Sequence, residues 1–168
     1  NKGDPIQYVD NAATWASLTT GAWCYYNNDP STESTYGKLY NGYAVSDPRG
    51  FAPVGYRVPT DSEWPTLATF LGGDSVAGGK MKETGFCHWL SPNTDATNES
   101  GFTGLPGGRC NYYGSFAFIG YYGYWWSSSE NDTKDAWCRN LDVNDGNVGK
   151  GILNKQFGFS VRCIKENI

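Results

Sequence analysis

From about Gly101 onward the chain is written in short aromatic or β-branched runs, each divided from the next within a few residues by Gly, Asn or Asp. Punctuation at that density cannot carry long helices; it is the grammar of short strands joined by turns. The strongest strand candidates are residues 124–129, 136–143, 148–153 and 157–164, and Asp145-Gly146 has the chemistry of a type I′ turn between the second and third. Along 136–143 the two-residue period puts Trp137, Arg139, Leu141 and Val143 on one face and Cys138, Asn140 and Asp142 on the other. One face is expected to pack and the other to look outward. In 111–124, Tyr112, Tyr113, Phe116, Phe118, Tyr121, Tyr122 and Tyr124 are interrupted by Gly114, Gly120 and Gly123. The glycines prevent one long strand there, and several of these rings are expected in loops near solvent.

Ahead of this region two helices are legible. Asp10 or Asn11 can cap a short amphipathic segment containing Ala12, Ala13, Trp15, Ala16 and Leu18, which stops at Thr19-Thr20-Gly21. In Pro59-Thr60-Asp61-Ser62-Glu63, the Thr60 hydroxyl can accept from the Glu63 N–H while the Glu63 carboxylate reaches back, a capping box. Trp64, Leu67, Ala68 and Leu71 then recur at helical spacing, Gly72-Gly73 close the element, and Pro65 is expected to weaken or bend its first turn. Residues 91–108 keep neither period and read as a long ordered loop anchored by Trp89, Phe102 and Leu105. Two short helices packed on a twisted antiparallel sheet make an α+β class, and 168 residues fit one domain with a proper core.

Thirteen Lys+Arg against 17 Asp+Glu leave a net charge of −4, with no basic run. A phosphate-tracking surface is not expected, which argues against nucleic acid as a partner. No stretch nears the roughly 20 apolar residues of a bilayer span, so direct membrane insertion is not expected either. The sequence opens at Asn1 with neither initiator Met nor leader pattern, as expected of a mature or trimmed segment. Five cysteines, at positions 24, 87, 110, 138 and 163, lack zinc-type spacing, and His88 is the single histidine. One or two disulfides with a thiol left over are expected in an exported, extracellular or cell-surface protein; the alternative is that all are reduced and buried.

The block Gly55-Tyr56-Arg57-Val58-Pro59-Thr60-Asp61-Ser62-Glu63-Trp64, followed by Ala77-Gly78-Gly79-Lys80-Met81-Lys82-Glu83-Thr84-Gly85, resembles the Fibrobacter succinogenes major paralogous domain. So do Ser91-Pro92-Asn93-Thr94, Leu105-Pro106-Gly107-Gly108, Gly123-Tyr124-Trp125-Trp126-Ser127-Ser128-Ser129-Glu130 and Gly158-Phe159-Ser160-Val161-Arg162-Cys163. These blocks come in family order along nearly the whole chain. The resemblance implies a single C-type-lectin-like domain over 1–168, carried on exported proteins of Bacteroidetes, Fibrobacteres and similar bacteria. Some members are targets of diversity-generating retroelements, which scramble codons in the C-terminal part so that the fold displays variable ligand-binding residues. Stretches 111–122, 131–135 and 142–157 look arbitrary in composition between framework blocks, which fits diversification and equally fits ordinary divergence of paralogues. The family often has a cysteine where this chain reads Ala52-Pro53-Val54-Gly55-Tyr56. Cys24–Cys163 is then the expected replacement disulfide, with Cys110–Cys138 second.

On that basis a display region spans about 109–157, with Tyr112, Tyr113, Phe118, Tyr121, Tyr122, Lys134, Cys138, Asn140, Asp142, Asn144, Asn147, Lys150, Ile152, Leu153 and Phe157 as expected ligand contacts. Aromatic residues supply contact area at low entropic cost, and Asn, Ser and Asp supply adaptable hydrogen bonds. The expected role is a receptor or adhesin-tip module that binds a protein or glycan on another cell or surface. A structural or oligomerising module of a surface or fibre protein is the alternative.

Catalytic and metal chemistry find less support. The pair Ser91-Pro92-Asn93 and Glu130-Asn131-Asp132 only partly matches a lectin-type calcium loop, lacking the first carboxylate, so no cofactor is expected and calcium is the one metal weighed. Residues 142–147 glance at an EF-hand loop, but glycine falls one place early and Leu153 stands where a Glu is needed. The Arg57–Trp64 block is also similar to formylglycine-generating enzymes, yet Cys110 has no nearby cysteine partner in sequence and Cys87 points away from its neighbour His88 on an extended chain. No catalytic residue is expected. His88 reads as an ordinary loop histidine, Glu63 as a cap, and Asp61 as a residue favoured by the helix dipole.

Overall fold

The computed structural model describes residues 5–166. Strand β1 (Gln7–Tyr8) leads into α1 (Ala12–Ala16), then β2 (Ala22–Cys24), α2 (Glu33–Tyr36), β3 (Leu39–Asn41), α3 (Gly42–Val45) and β4 (Tyr56–Arg57). Two helices follow, α4 (Trp64–Phe70) and α5 (Asp74–Met81), and after a long loop come β5 (Gly107–Cys110), β6 (Phe116–Ile119), β7 (Tyr122–Glu130), β8 (Asp135–Asp142), β9 (Gly149–Asn154), β10 (Gly158–Phe159) and β11 (Ile164–Lys165). The class is α+β, with five short helices among the described residues.

Helix α1 starts as its sequence asks: the Asn11 side chain accepts from the Thr14 N–H at 2.9 Å. Helix α4 departs from expectation in one half of its cap. Glu63 reaches back to accept from the Thr60 N–H at 2.9 Å, but the Thr60 hydroxyl donates to the same carboxylate, and the Glu63 N–H goes to the Thr60 carbonyl instead. Arg57 explains the change, because its guanidinium grips both Glu63 oxygens and fixes the carboxylate there. The helix therefore begins at Trp64, which puts Pro65 in the first turn, where its missing N–H has no partner to lose. Helix α5 escapes sequence reading because its centre is Gly78-Gly79, which lowers helix propensity. Packing requires both: a Cβ at Gly78 would collide with the Asn147 carbonyl oxygen, and one at Gly79 with that of Asp95.

The main sheet runs β1-β2-β3-β10-β5-β7-β8-β9, with β6 added against β5, while β4 and β11 form a separate ribbon. It is mixed rather than antiparallel throughout: β1 pairs β2 and β5 pairs β7 in parallel. The run expected as one strand over 157–164 divides, with β10 in the main sheet and β11 in the ribbon. The expected type I′ turn is absent. Pairing of β8 with β9 ends at Asn140–Gly149, and neither Asp145 nor Gly146 has the positive φ that such a turn demands. The connection is instead pulled onto α5, where the Gly79 N–H donates to the Gly146 carbonyl (3.0 Å) and the Val148 N–H to that of Asp74 (2.9 Å). Of the loop expected over 91–108, residues 91–106 are irregular while Gly107 and Gly108 belong to β5, and Trp89 is fully buried beneath it.

Three apolar clusters hold the layers. Trp64, Ala68, Leu71, Met81, Trp89, Trp125, Leu141 and Val143 join α4 and α5 to one face of β7–β8. Tyr124, Trp126, Cys138, Phe157 and Phe159 pack on the opposite face with Val45 and Val58. Both faces of β8 are thus packed, contrary to the one-sided strand expected. Trp15, Leu18, Cys24, Tyr26, Leu39 and Cys110 form the third cluster at the N-terminal edge. No cysteine is in a disulfide. Cys24 and Cys110 belong to this third cluster while Cys138 and Cys163 lie with the second, so neither Cys24–Cys163 nor Cys110–Cys138 forms.

Candidate functional site

Arg109 on β5 is the centre of the most distinctive surface on the molecule. Its guanidinium lies 4.9 Å from the Phe118 ring, 5.1 Å from Phe157 and 5.5 Å from Tyr124. Its Nε is buried without a hydrogen-bond partner. Rings continue outward on both sides. Tyr112 meets Phe157 at 5.5 Å, Phe157 meets Phe159, Phe159 stacks on Tyr124 at 5.0 Å, Tyr124 stacks on Tyr122, and Tyr122 meets Phe118 at 5.3 Å. The middle of this chain is core and its two ends are surface.

The exposed ends are supplied by two tight connections. In the β5–β6 turn, Asn111 accepts through its side chain from the Tyr113 and Ser115 N–H groups and is itself buried, which fixes Tyr112 and Tyr113 outward at 49% and 54% exposure. Their rings meet edge to face at 4.7 Å. Near the end of β6, Phe118 takes a left-handed φ of 71°, strained for a side chain of this size, and in the β6–β7 connection Gly120 follows at 83°. Phe118 and Tyr121 project at 42% and 48% exposure. Leu90, exposed beside Gly120, extends the patch; its N–H donates to the Gly120 carbonyl at 3.0 Å.

Cross-strand register sorts the remaining expected contacts. Tyr122 pairs Asp142, Tyr124 pairs Asn140 and Trp126 pairs Cys138, so these share the face that carries the ring chain. Asn140 and Asp142 are half-buried at its margin. Hydrogen bonding toward Asp142, with burial, pushes the Tyr122 phenol up from its ordinary pKa; burial pushes Tyr124 up to about 12. Cys138 and Phe157, expected as contacts, are 1% and 8% exposed and serve as core beneath the patch. Burial pushes the Cys138 thiol up to about 12, which leaves it protonated. Leu153 packs half-buried against the same cluster.

Lys150 and Ile152 lie on the other face, opposite Arg139 and Trp137. Lys150 donates to Asp61 at 2.9 Å and sits 4.0 Å from the Trp137 ring, while buried Arg139 meets the other Asp61 oxygen at 2.7 Å. Asp61 is therefore an ion-pair hub tying β8 and β9 to the segment before α4, not merely a residue favoured by the helix dipole. Burial works against its charged form, but the bonds from Lys150 and Arg139 outweigh that and hold its pKa below the ordinary value. Lys134 is exposed at the tip of the β7–β8 hairpin, and Asn144 and Asn147 are exposed on the loop that covers α5, away from the rings. The structure thus brings Tyr112, Tyr113, Phe118, Tyr122, Asn140 and Asp142 toward one region, leaves Tyr121 exposed on the turn after β6, and disperses the rest. Sequence reasoning missed Arg109 and Leu90. The available signal for Arg109 was a lone cation between glycines and an aromatic run.

Several side chains of the calcium-like motifs are engaged in hydrogen bonds within the fold. Asn93 is buried and donates to the carbonyls of Glu83 and Gly85 at 2.9 and 2.8 Å. Asp142 and Asp145 accept from the N–H groups two residues on, as turns. His88 meets the Glu83 carboxylate at 2.8 Å. Among the described residues no group of three or more His, Cys, Asp or Glu is placed to hold a metal ion, and no helix is long and apolar enough to cross a membrane.

The family model for the Fibrobacter succinogenes major domain matches residues 1–165. The chain belongs to that family. No curated protein and no solved structure matches it. In this member of the Fibrobacter succinogenes major domain family, the framework motifs build the packing around α5. Lys82, fully buried, donates to the carbonyls of Thr94 (2.7 Å), Asp142 (2.8 Å) and Asp145 (2.7 Å), with the Trp89 ring 5.5 Å away. Burial lowers its pKa against the upward pull of Asp145, Asp142 and Asp95. One ammonium thus gathers the long loop, the end of β8 and the β8–β9 connection.

Proposed function

We propose that this domain displays a ligand-binding surface on an exported bacterial surface protein or adhesin tip, with protein or glycan as ligand. The observation that carries the reading is the exposure of Phe118 beside Arg109 and of Tyr112 and Tyr113 at the other end of the same ring chain, with Tyr121 exposed on the adjoining turn, where the backbone is fixed by buried or tightly packed neighbours. Rigid aromatic side chains on preorganised turns lose little freedom on binding and fill partner pockets well. The C-type-lectin-like relationship and diversification of the C-terminal part belong to the same proposal: a scaffold held by Lys82 and the tryptophan-bearing strands tolerates change in turns that the core does not need. The reading assigns the domain neither catalysis nor a cofactor.

The test is to probe glycan and cell-surface protein arrays with the purified chain, in parallel with sedimentation of the same sample. Monomeric protein that yields reproducible hits supports display. Self-association through these rings, with no hits, replaces display by a structural, oligomerising role.

A further inference from the structure

Cys24 and Cys110 are distant in sequence but neighbours in the fold. Cys24 ends β2 and Cys110 ends β5, both are buried in the N-terminal cluster, and both line one gap too narrow for water, together with Val9, Trp15 and Phe116. Their thiols are neighbours in this gap, and the interaction between them, with burial, raises the Cys24 pKa. Among the described residues, Asp10 at its rim is the one charged side chain that lines the gap. We propose that Cys24 and Cys110 form a disulfide when the chain folds under oxidising conditions, covalently joining β2 to the strand that bears Arg109 and leads into the Tyr112-Tyr113 turn.

The chemistry is thiol–disulfide exchange. One cysteine thiolate attacks an external disulfide, such as glutathione disulfide or the active-site disulfide of a folding oxidoreductase, giving a mixed disulfide and releasing one thiol. The second cysteine attacks the protein sulfur of that mixed disulfide and releases the other thiol. The two cysteines lose two protons and two electrons, and the external disulfide is reduced to two thiols. Because exchange needs a thiolate with access to the oxidant, the bond forms while the strands are still assembling; burial of both thiols, with the raised pKa of Cys24, makes the reduced pair slow to react once folded. The Cys110 position matters for the surface. Asn111, the residue that holds the Tyr112-Tyr113 turn, follows it directly, and Gly114 in the same turn packs against Ala12 of α1.

The test refolds the full chain in a glutathione redox buffer, blocks free thiols with iodoacetamide under denaturing conditions, and maps peptides without reduction. The expected result is a Cys24–Cys110 cross-linked peptide with Cys87, Cys138 and Cys163 alkylated. Reduction of the oxidised protein should lower its Tm by on the order of 10 °C, since the bond closes a long loop in the unfolded chain. The double variant Cys24→Ser with Cys110→Ser should lose that dependence on reductant. Recovery of Cys24 and Cys110 as alkylated thiols, or a cross-link from either to another cysteine, would overturn the proposal. Since the mapping involves no ligand, its failure leaves the display reading untouched.

Discussion

Replacing Lys82 by Met keeps most of the side-chain volume and removes the ammonium. Three backbone carbonyls, of Thr94, Asp142 and Asp145, then lose a donor at 2.7–2.8 Å. Each charge-assisted bond is worth about 1.5–3 kcal/mol, and an acceptor left buried without a partner costs about 1–3 kcal/mol. Against this stands the relief of no longer burying an ammonium, a desolvation penalty of several kcal/mol. The balance follows the pattern of breaking one side of a buried polar set, roughly 3–5 kcal/mol of lost stability. For a domain of this size that is a fall in Tm of about 10 °C or more. Thermal unfolding followed by circular dichroism gives the number. Hydrogen exchange gives the location, because the Thr94 N–H bonded to the Val143 carbonyl and the Val148 N–H bonded to that of Asp74 should lose protection first. A Lys82→Met protein that melts within about 1 °C of the parent, with those two amides still protected, would refute the idea that the ammonium gathers these segments.

Three further outcomes follow from the same geometry. Phe118→Gly should leave Tm unchanged or raised, because glycine accepts φ of 71° without the roughly 1–3 kcal/mol of strain that a large side chain carries there, while array signals weaken from loss of the ring. Glu63, held down to about 2 first by the Arg57 guanidinium and then by the Thr60 N–H, contributes stability that is complete above its ordinary value of 4.5 and lost as pH falls from there toward 2. Tm measured across that range should drop more steeply for the parent than for Glu63→Gln. In the native protein kept reduced, iodoacetamide should modify the exposed Cys87 first, whereas buried Cys24, Cys110 and Cys138 should stay unmodified until unfolding; mass spectrometry of timed samples reads this directly.

How far the sequence could be read depended on whether local chemistry or distant packing decided each element. The Asn11 cap, the Trp64 helix and the strands around Trp125 and Leu141 were legible because capping residues and periodicity act over a few residues. Helix α5 was not, since its two glycines answer to carbonyls of Asn147 and Asp95 far along the chain. Asp145-Gly146 carried the right residues for a tight hairpin, yet the bonds to α5 and Lys82 outbid that local preference. Alternation along 136–143 gave the two faces correctly, but burial of both could not be seen without Phe157 and Phe159 arriving from later in the chain. The aromatic run 111–124 announced an unusual surface, while its cationic centre at Arg109 emerged only once Phe118, Tyr124 and Phe157 were brought around it.

The display reading stands most directly on one binding measurement. A variant with Tyr112, Tyr113, Phe118 and Tyr121 all changed to Ser, checked for a Tm close to that of the parent, is titrated against whichever array hit the parent recognises. The account predicts at least a 100-fold rise in Kd, which four truncated aromatic contacts of about 1 kcal/mol or more each would produce. An unchanged Kd in a folded variant would place recognition elsewhere on the molecule and contradict the proposal.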